Sequence, residues 1–207
     1  MPIYKNINGV RKKAKFAFYG STLLPEIYYG SKKVFEMDGV VFEKDEPGTY
    51  TASLPFSGFY EVVLVGGGSG GCYGYTTQYG DAKVGNQGAS IIGTIFLNAG
   101  NYTTVVGEGG NGAGGPGFQT SGKGTESSFL GNIAGGGDAN TALGAQGNGG
   151  VATVVTAGLV GDDGEKNDLN GKYLTYGAGG GVDYLKYANP GTNGYVRIKF
   201  VGFSQGE

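Results

Sequence analysis

The sequence predicts an all-β protein with almost no helix. A small β-hairpin module over residues 1–44 is followed by a glycine-rich, β-sandwich-like domain over 45–207 carrying polyglycine-II-type segments. Three observations lead there. Short runs of β-branched and aromatic residues recur along the chain, the strongest being 59–65, FYEVVLV. That run passes straight into a glycine cluster, 66–71, GGGSGG, and much of the remaining chain repeats the alternation. Glycine and proline, 46 and 6 of 207 residues, approach the share seen in low-complexity chains, yet 39% of residues are hydrophobic and net charge is only −2. A disordered chain has too little clustered apolar surface to fold, and this one does not fit that description. The glycines also keep no strict G-X-Y register, which excludes collagen.

In chain order, Asn8-Gly9 between Ile7 and Val10 is a hairpin signal. Tyr19-Gly20-Ser21 and Tyr29-Gly30-Ser31 each close an aromatic-rich run and open another, giving strand, turn, strand, turn. Residues 1–44 hold eight Lys/Arg against four Asp/Glu, and 45–207 hold seven against thirteen, an asymmetry that suggests two modules. The first has no basic amphipathic helix and no nucleic-acid motif, so its charge reads as a solvated face. With Lys12 and Lys13 on its strands it buries little alone, which predicts docking on another subunit or a larger body.

Asp45-Glu46-Pro47-Gly48 marks the boundary turn. Beyond it the candidate strands are 60–65, 90–97, 102–106, 127–130 and 195–200, with Asn98-Ala99-Gly100 as a tight turn joining two of them. Glycine blocks lie between, at 66–71, 107–117, 135–137, 144–150 and 177–181. Each glycine costs about 0.5–1 kcal/mol relative to alanine in regular structure, so a folded chain keeps so many only where side chains must be missing. Close approach of main chains is such a need: extended, three-residue-per-turn segments bonding side by side through N–H and C=O. Spacings such as Gly109, Gly112 and Gly115 suit that geometry. The competing expectation is flexible glycine loops over a β core.

Residue types with catalytic potential are sparse. Gly66, Gly68 and Gly71 satisfy G-x-G-x-x-G after a strand, but CYGYTTQYG follows and cannot open the helix that a dinucleotide site requires. Residues 117–124 begin like a phosphate loop, but Gly124 stands where Ser or Thr should hold magnesium. Histidine is absent, so there is no Ser-His-Asp triad, and the single cysteine, Cys72, argues against zinc and against an internal disulfide framework. Acidic pairs occur at Asp45/Glu46 and Asp162/Asp163 in turn-like sequence, where solvated loop charge outweighs glycoside hydrolysis. The oxygen-rich stretch 161–168 lacks EF-hand spacing and contains Lys166. We therefore expect no enzyme, no cofactor, no catalytic residue and no metal site. No signal peptide or membrane span is expected either, nor nucleic-acid binding.

The tyrosines are the better candidates. Fifteen occur with no tryptophan, and several fall in excursions between glycine blocks: Tyr73, Tyr75 and Tyr79; Tyr173 and Tyr176; Tyr184 and Tyr187. Loop tips on a rigid scaffold are where recognition residues concentrate, and tyrosine offers contact area plus a hydroxyl at low entropy cost. The same rings could instead pack over glycine backbone or form a subunit interface.

Two resemblances follow from quoted motifs. INGVRKKAK followed by IYYGSKKVFE resembles the short Tyr/Lys/Gly repeats of bacteriophage tail and baseplate proteins, especially from Gram-positive hosts. GTYTASLPFSGFYEVVLVGGGSGG, then IIGTIFLNAGNYTTVVGEGGNG, SSFLGNIAGGG and NGYVRIKF, resemble in order the phage and bacterial glycine-rich domain over roughly 48–201. That design is also similar to the glycine-rich domain of anaplastic lymphoma kinase and to receptor-binding adhesins of T-even-like phages. The resemblance implies a non-catalytic virion protein, a tail or receptor-binding component, with residues 1–44 bound to other virion proteins and tyrosine loops meeting a host glycan or protein. It further implies a homotrimer by analogy. The alternative is a capsid decoration or head-fibre protein with the same domain. An ice-binding protein would show a flat, regular face without the tyrosine excursions.

Overall fold

The computed structural model describes residues 4–7, 10–13, 17–19, 22–24, 26–29, 32–36, 39–75, 80–117, 119–141, 146–165, 179–180, 182–183 and 187–203. Among them there is no helix, and the fold is all-β as the sequence predicts. In the N-terminal part, Tyr4–Ile7 pairs with Val10–Lys13, Ala17–Tyr19 with Thr22–Leu24, and Glu26–Tyr29 with Lys32–Glu36, all antiparallel. Ile7 pairs with Val10, Tyr19 with Thr22 and Tyr29 with Lys32; the turns expected at Asn8-Gly9, Gly20-Ser21 and Gly30-Ser31 lie outside the described residues.

The larger part is a sandwich of two five-stranded antiparallel sheets. The first runs in the order Leu159–Asp162, Ser90–Leu97, Gly58–Val65, Tyr195–Gly202, Val40–Lys44. The second runs Ala152–Thr153, Asn132–Ala134, Ser127–Phe129, Gly100–Val106, Gly48–Leu54. Val40–Lys44, placed before the boundary turn by the sequence, is hydrogen-bonded into the first sheet beside Tyr195–Gly202. Period-two alternation makes these strands. On Gly58–Val65 the side chains of Tyr60, Val62 and Leu64 are buried and their neighbours half-buried, so one face turns inward. Ile91, Ile95, Leu97, Val196, Ile198 and Phe200 extend that face, and Ala52, Leu54, Val106 and Phe129 answer from the other sheet. Each fully buried large apolar side chain contributes roughly 1.5–3 kcal/mol. Tyr60 keeps its hydroxyl satisfied by donating to the Phe56 carbonyl at 2.6 Å.

The turn at Asn98-Ala99 does join two strands, but not as a hairpin. Leu97 pairs with Gly58 in one sheet and Gly100 with Leu54 in the other, so the chain crosses between sheets there. Both strands carry apolar faces that must meet across the core, which a flat hairpin could not arrange. A tight hairpin of the second sheet is Phe129–Asn132, whose two linking residues, Leu130 and Gly131, have φ of 52° and 76°. Asn132 braces it, donating from Nδ2 to the carbonyl of Phe129 at 3.0 Å and to Thr156 Oγ1 at 2.8 Å.

Candidate functional site: a glycine bundle and its far end

Among the described residues, the glycine runs that follow or precede the sandwich strands are not loops. Segment 66–71 continues the central strand Gly58–Val65, and its six successive N–H groups reach three different neighbours in rotation. Gly66 and Ser69 donate to Ala89 and Asn86, Gly67 and Gly70 to Thr125 and Gly122, Gly68 and Gly71 to Thr192 and Asn189, at 2.9–3.0 Å. A partner direction that returns every third residue is the signature of a three-residue-per-turn helix. Its carbonyls work likewise. Gly67 accepts from Gly137, Gly68 from Gly110, Ser69 from Gly180 and Gly71 from Ala113.

Around the central segment lie 85–89, 107–113, 121–125, 135–138, 179–180 and 189–194. These neighbours also bond to one another: Gly122 N–H to Asn111, Gly124 to Gly137, Ala89 to Gly135, Gly85 to Gly180 and Gly191 to Gly110, at 2.7–3.0 Å. This is hexagonal packing of main chains. Stacked sheets with side chains between them lie about 10 Å apart. Here the side chains stop, the two sheets close onto each other, and hydrogen bonds run between layers as well as within them. The junction is Ser127, whose hydroxyl donates to the Val65 carbonyl of one sheet at 2.6 Å and accepts from Gly107 N–H at 2.9 Å.

Glycine is required by contact. A Cβ on Gly67 would meet the Glu108 carbonyl oxygen, one on Gly70 that of Asn111, and one on Gly124 that of Gly67, each far inside the separation real Cβ atoms keep. The few side chains inside the bundle are small and amide- or hydroxyl-bearing. Asn86 Nδ2 donates to the Asp138 carbonyl at 2.8 Å and to Asn140 Oδ1 at 2.9 Å, and Asn140 Nδ2 donates to the Val84 carbonyl at 2.8 Å. Ser69 Oγ accepts from Asn86 N–H at 2.7 Å and Ser121 Oγ from Asn140 N–H at 2.9 Å. These buried polar pins escaped the sequence reading. Their only trace is a lone Ser or Asn set among glycines, as in GGGSGG and VGNQG.

Segments 66–71, 85–89, 107–113, 121–125, 135–138 and 189–194 each adjoin a sandwich strand along the chain, so their other ends lie away from the sandwich. Cys72–Tyr75 continues 66–71 there, pairing antiparallel with Gly80–Lys83 and parallel with Ala113–Pro116. Both Cys72–Tyr75 and Ala113–Pro116 pack beside Tyr187–Ala188. Three of the predicted contact residues therefore come together at this end: Tyr73, half-buried and paired along the main chain with Ala82 and Gly114; Tyr75, paired with Gly80 and Pro116; and Tyr187, paired with Asp183. Tyr79, Tyr173, Tyr176 and Tyr184 lie outside the described residues. Cys72 is buried, its thiol on the Gln119 carbonyl at 2.9 Å. After Gly71 comes a strand, not the helix that a dinucleotide site would need. Lys123, from the degenerate phosphate-loop stretch, pairs with Asp138 at 2.9 Å. Of the acidic pairs, Asp163 accepts from Ala152 N–H at 2.7 Å and Asp162 ends a strand in solvent. Among the described residues no three Cys, Asp or Glu side chains cluster as metal ligands would.

The chain enters from the opposite end. Lys44 faces Val196 while Val40 faces Lys199, and the Phe200 N–H donates to the Gly39 carbonyl. One eight-residue strand and six residues of three-fold helix put roughly 45 Å between that entry and the start of the tyrosine-bearing excursion.

A β-sandwich prolonged by a hydrogen-bonded bundle of glycine helices defines a class of rigid, side-chain-poor scaffold. The glycine-rich domain family model matches residues 44–206, and the chain belongs to that family. The comparison with curated proteins gives no match.

Proposed function

We propose that the protein is a non-catalytic phage virion component that carries out host adhesion, as a tail or receptor-binding part. Residues 1–44 fasten it to the particle, and the tyrosine-bearing excursions meet a cell-surface glycan or protein. The observation that carries this reading is polarity. The chain enters the sandwich at one end, and strands bearing Tyr73, Tyr75 and Tyr187 converge at the other, across a bundle tied at every third residue. Such a body holds recognition residues away from an attachment point without bending. Its rigidity also lowers the ordering cost that flexible contact loops incur on binding. The motif resemblance of the N-terminal repeats to tail and baseplate proteins adds the virion setting.

The test is binding of purified protein to a panel of Gram-positive bacterial cells. Tyr75→Ala combined with Tyr184→Ala is expected to remove at least nine-tenths of the bound protein while thermal stability is kept. Full binding by the double variant would exclude the far end as the contact surface.

A further inference from the structure

A furrow on the flank of the bundle has the geometry of a peptide site. It has a volume of about 610 Å³, its floor is Gly135 and Gly136, and its walls are 123–126 on one side and 149–151 with Thr153 on the other. Segment 135–138 is an outer member of the hexagonal array. Its Gly135 and Asp138 N–H groups donate to Val151 and Asn148, and its Gly137 N–H donates to Gly67 of the central segment. Three-fold rotation turns the intervening N–H, that of Gly136, in the third direction. Gly136 is buried, and among the described residues neither its N–H nor its C=O has a hydrogen-bond partner. Gly149 on the wall, half-buried, likewise has no main-chain partner among the described residues. Buried main-chain groups left unpaired are rare, and each is as costly as a lost hydrogen bond.

We infer that this furrow binds an extended, three-residue-per-turn polypeptide segment of another protein, with glycine at every third position, which docks as one more helix of the array. The glycine requirement comes from the bundle itself. Where a glycine of one segment lies against the next, as Gly124 onto Gly67, Gly136 onto Gly124 and Gly137 onto Asn86, there is no room for a Cβ. A guest reaching Gly136 must obey the same limit. The occupant is not a glycan, for the furrow has no aromatic ring on which a sugar could stack. Nor is it a second copy of this chain, whose described glycine segments are already engaged in their own array. Main-chain bonds supply the attraction and the walls, with Ile133, Val151 and Thr153, select side chains, the logic of strand addition transferred to a three-fold helix.

The test uses the full chain and two proline-stiffened twelve-residue peptides, one repeating Gly-Pro-Ser and one repeating Ala-Pro-Ser. Amide chemical shifts are followed up to millimolar peptide. The glycine peptide is expected to shift the Gly136 and Gly149 amides saturably and slow their hydrogen exchange, and the alanine peptide to leave them unmoved. Val151→Trp, at an exposed wall position, is expected to weaken binding at least tenfold with the melting temperature kept. Unmoved Gly136 and Gly149 amides, equal shifts from both peptides, or undiminished binding by Val151→Trp would each overturn the inference. Saturable shifts of the same amides by a chito-oligosaccharide in place of the glycine peptide would overturn it in favour of a glycan.

Discussion

Gly70→Ala separates a bundle from a set of loops by the sign of its effect. In a flexible loop alanine restricts the unfolded chain and stabilises the protein by about 0.4–1 kcal/mol. In the bundle, the new Cβ would lie 2.0 Å from the Asn111 carbonyl oxygen, where 3.0 Å is the practical minimum, so segment 107–113 must retreat by about an ångström. That retreat stretches the Gly110 N–H bond to Gly68 from 2.8 Å and the Ala113 N–H bond to Gly71 from 3.0 Å, past useful length. Gly68, Gly71 and Gly110 are all buried, so the groups released are not rescued by water. Two bonds lost with desolvated partners cost about 2–4 kcal/mol, well above the offsetting entropy term. For a chain of this size the melting temperature should fall by about 10 °C. Thermal and urea unfolding followed by circular dichroism measure it, with Asn111→Ala as the control. Asn111 is exposed on the same segment, and its truncation should change stability by less than about 0.5 kcal/mol. A Gly70→Ala protein as stable as the parent, or more so, would refute the close-packed array.

Four further outcomes follow from the same contacts. Asn132→Ala removes the brace that also accepts from Val155 and Thr156 N–H at 2.9 and 3.1 Å, and should cost about 2–3 kcal/mol in urea unfolding. Leu130→Gly should stabilise by about 1 kcal/mol in the same assay, because leucine is held at a φ of 52° that suits glycine. Asn86→Ala and Asn140→Ala share one amide bond, so a double-mutant cycle should show coupling of about 1 kcal/mol rather than additivity. Burial raises the Tyr60 phenol above its ordinary value of 10. The folded state thus holds that proton more tightly than the unfolded state. The resulting stability is complete below the unfolded value and is lost as pH rises through the folded one. Unfolding free energy measured from pH 9 to 12 should therefore fall, and fall less steeply in Tyr60→Phe.

Much of this architecture was legible in the chain. Alternation over FYEVVLV and IIGTIFL placed the two central strands, because a half-buried strand must present its apolar residues on one side. The glycine surplus, set against its entropic cost, pointed to main chains in contact. Less could be read where local sequence says little. Gly48–Leu54, GTYTASL, buries only Ala52 and Leu54 and earns its place through pairing with Gly100–Val106. Ala152–Thr153 and Asn132–Ala134 are too short to show a period. At the candidate site, composition picked out the tyrosine excursions, but the meeting of the strands bearing Tyr73, Tyr75 and Tyr187 at one end depends on which segments run outward and which return.

What the sequence determined by itself was the all-β class and the need for side-chain-free contact, since both follow from residue type and short-range spacing. The neighbour each glycine segment touches, the crossing between sheets at the Asn98-Ala99 turn, the buried Asn86–Asn140 pair and the furrow over Gly136 were decided by the tertiary structure. Hydrogen bonds between main chains are the same for every residue except proline. A chain that packs through them records in its sequence that segments will touch, and leaves to the fold which ones do.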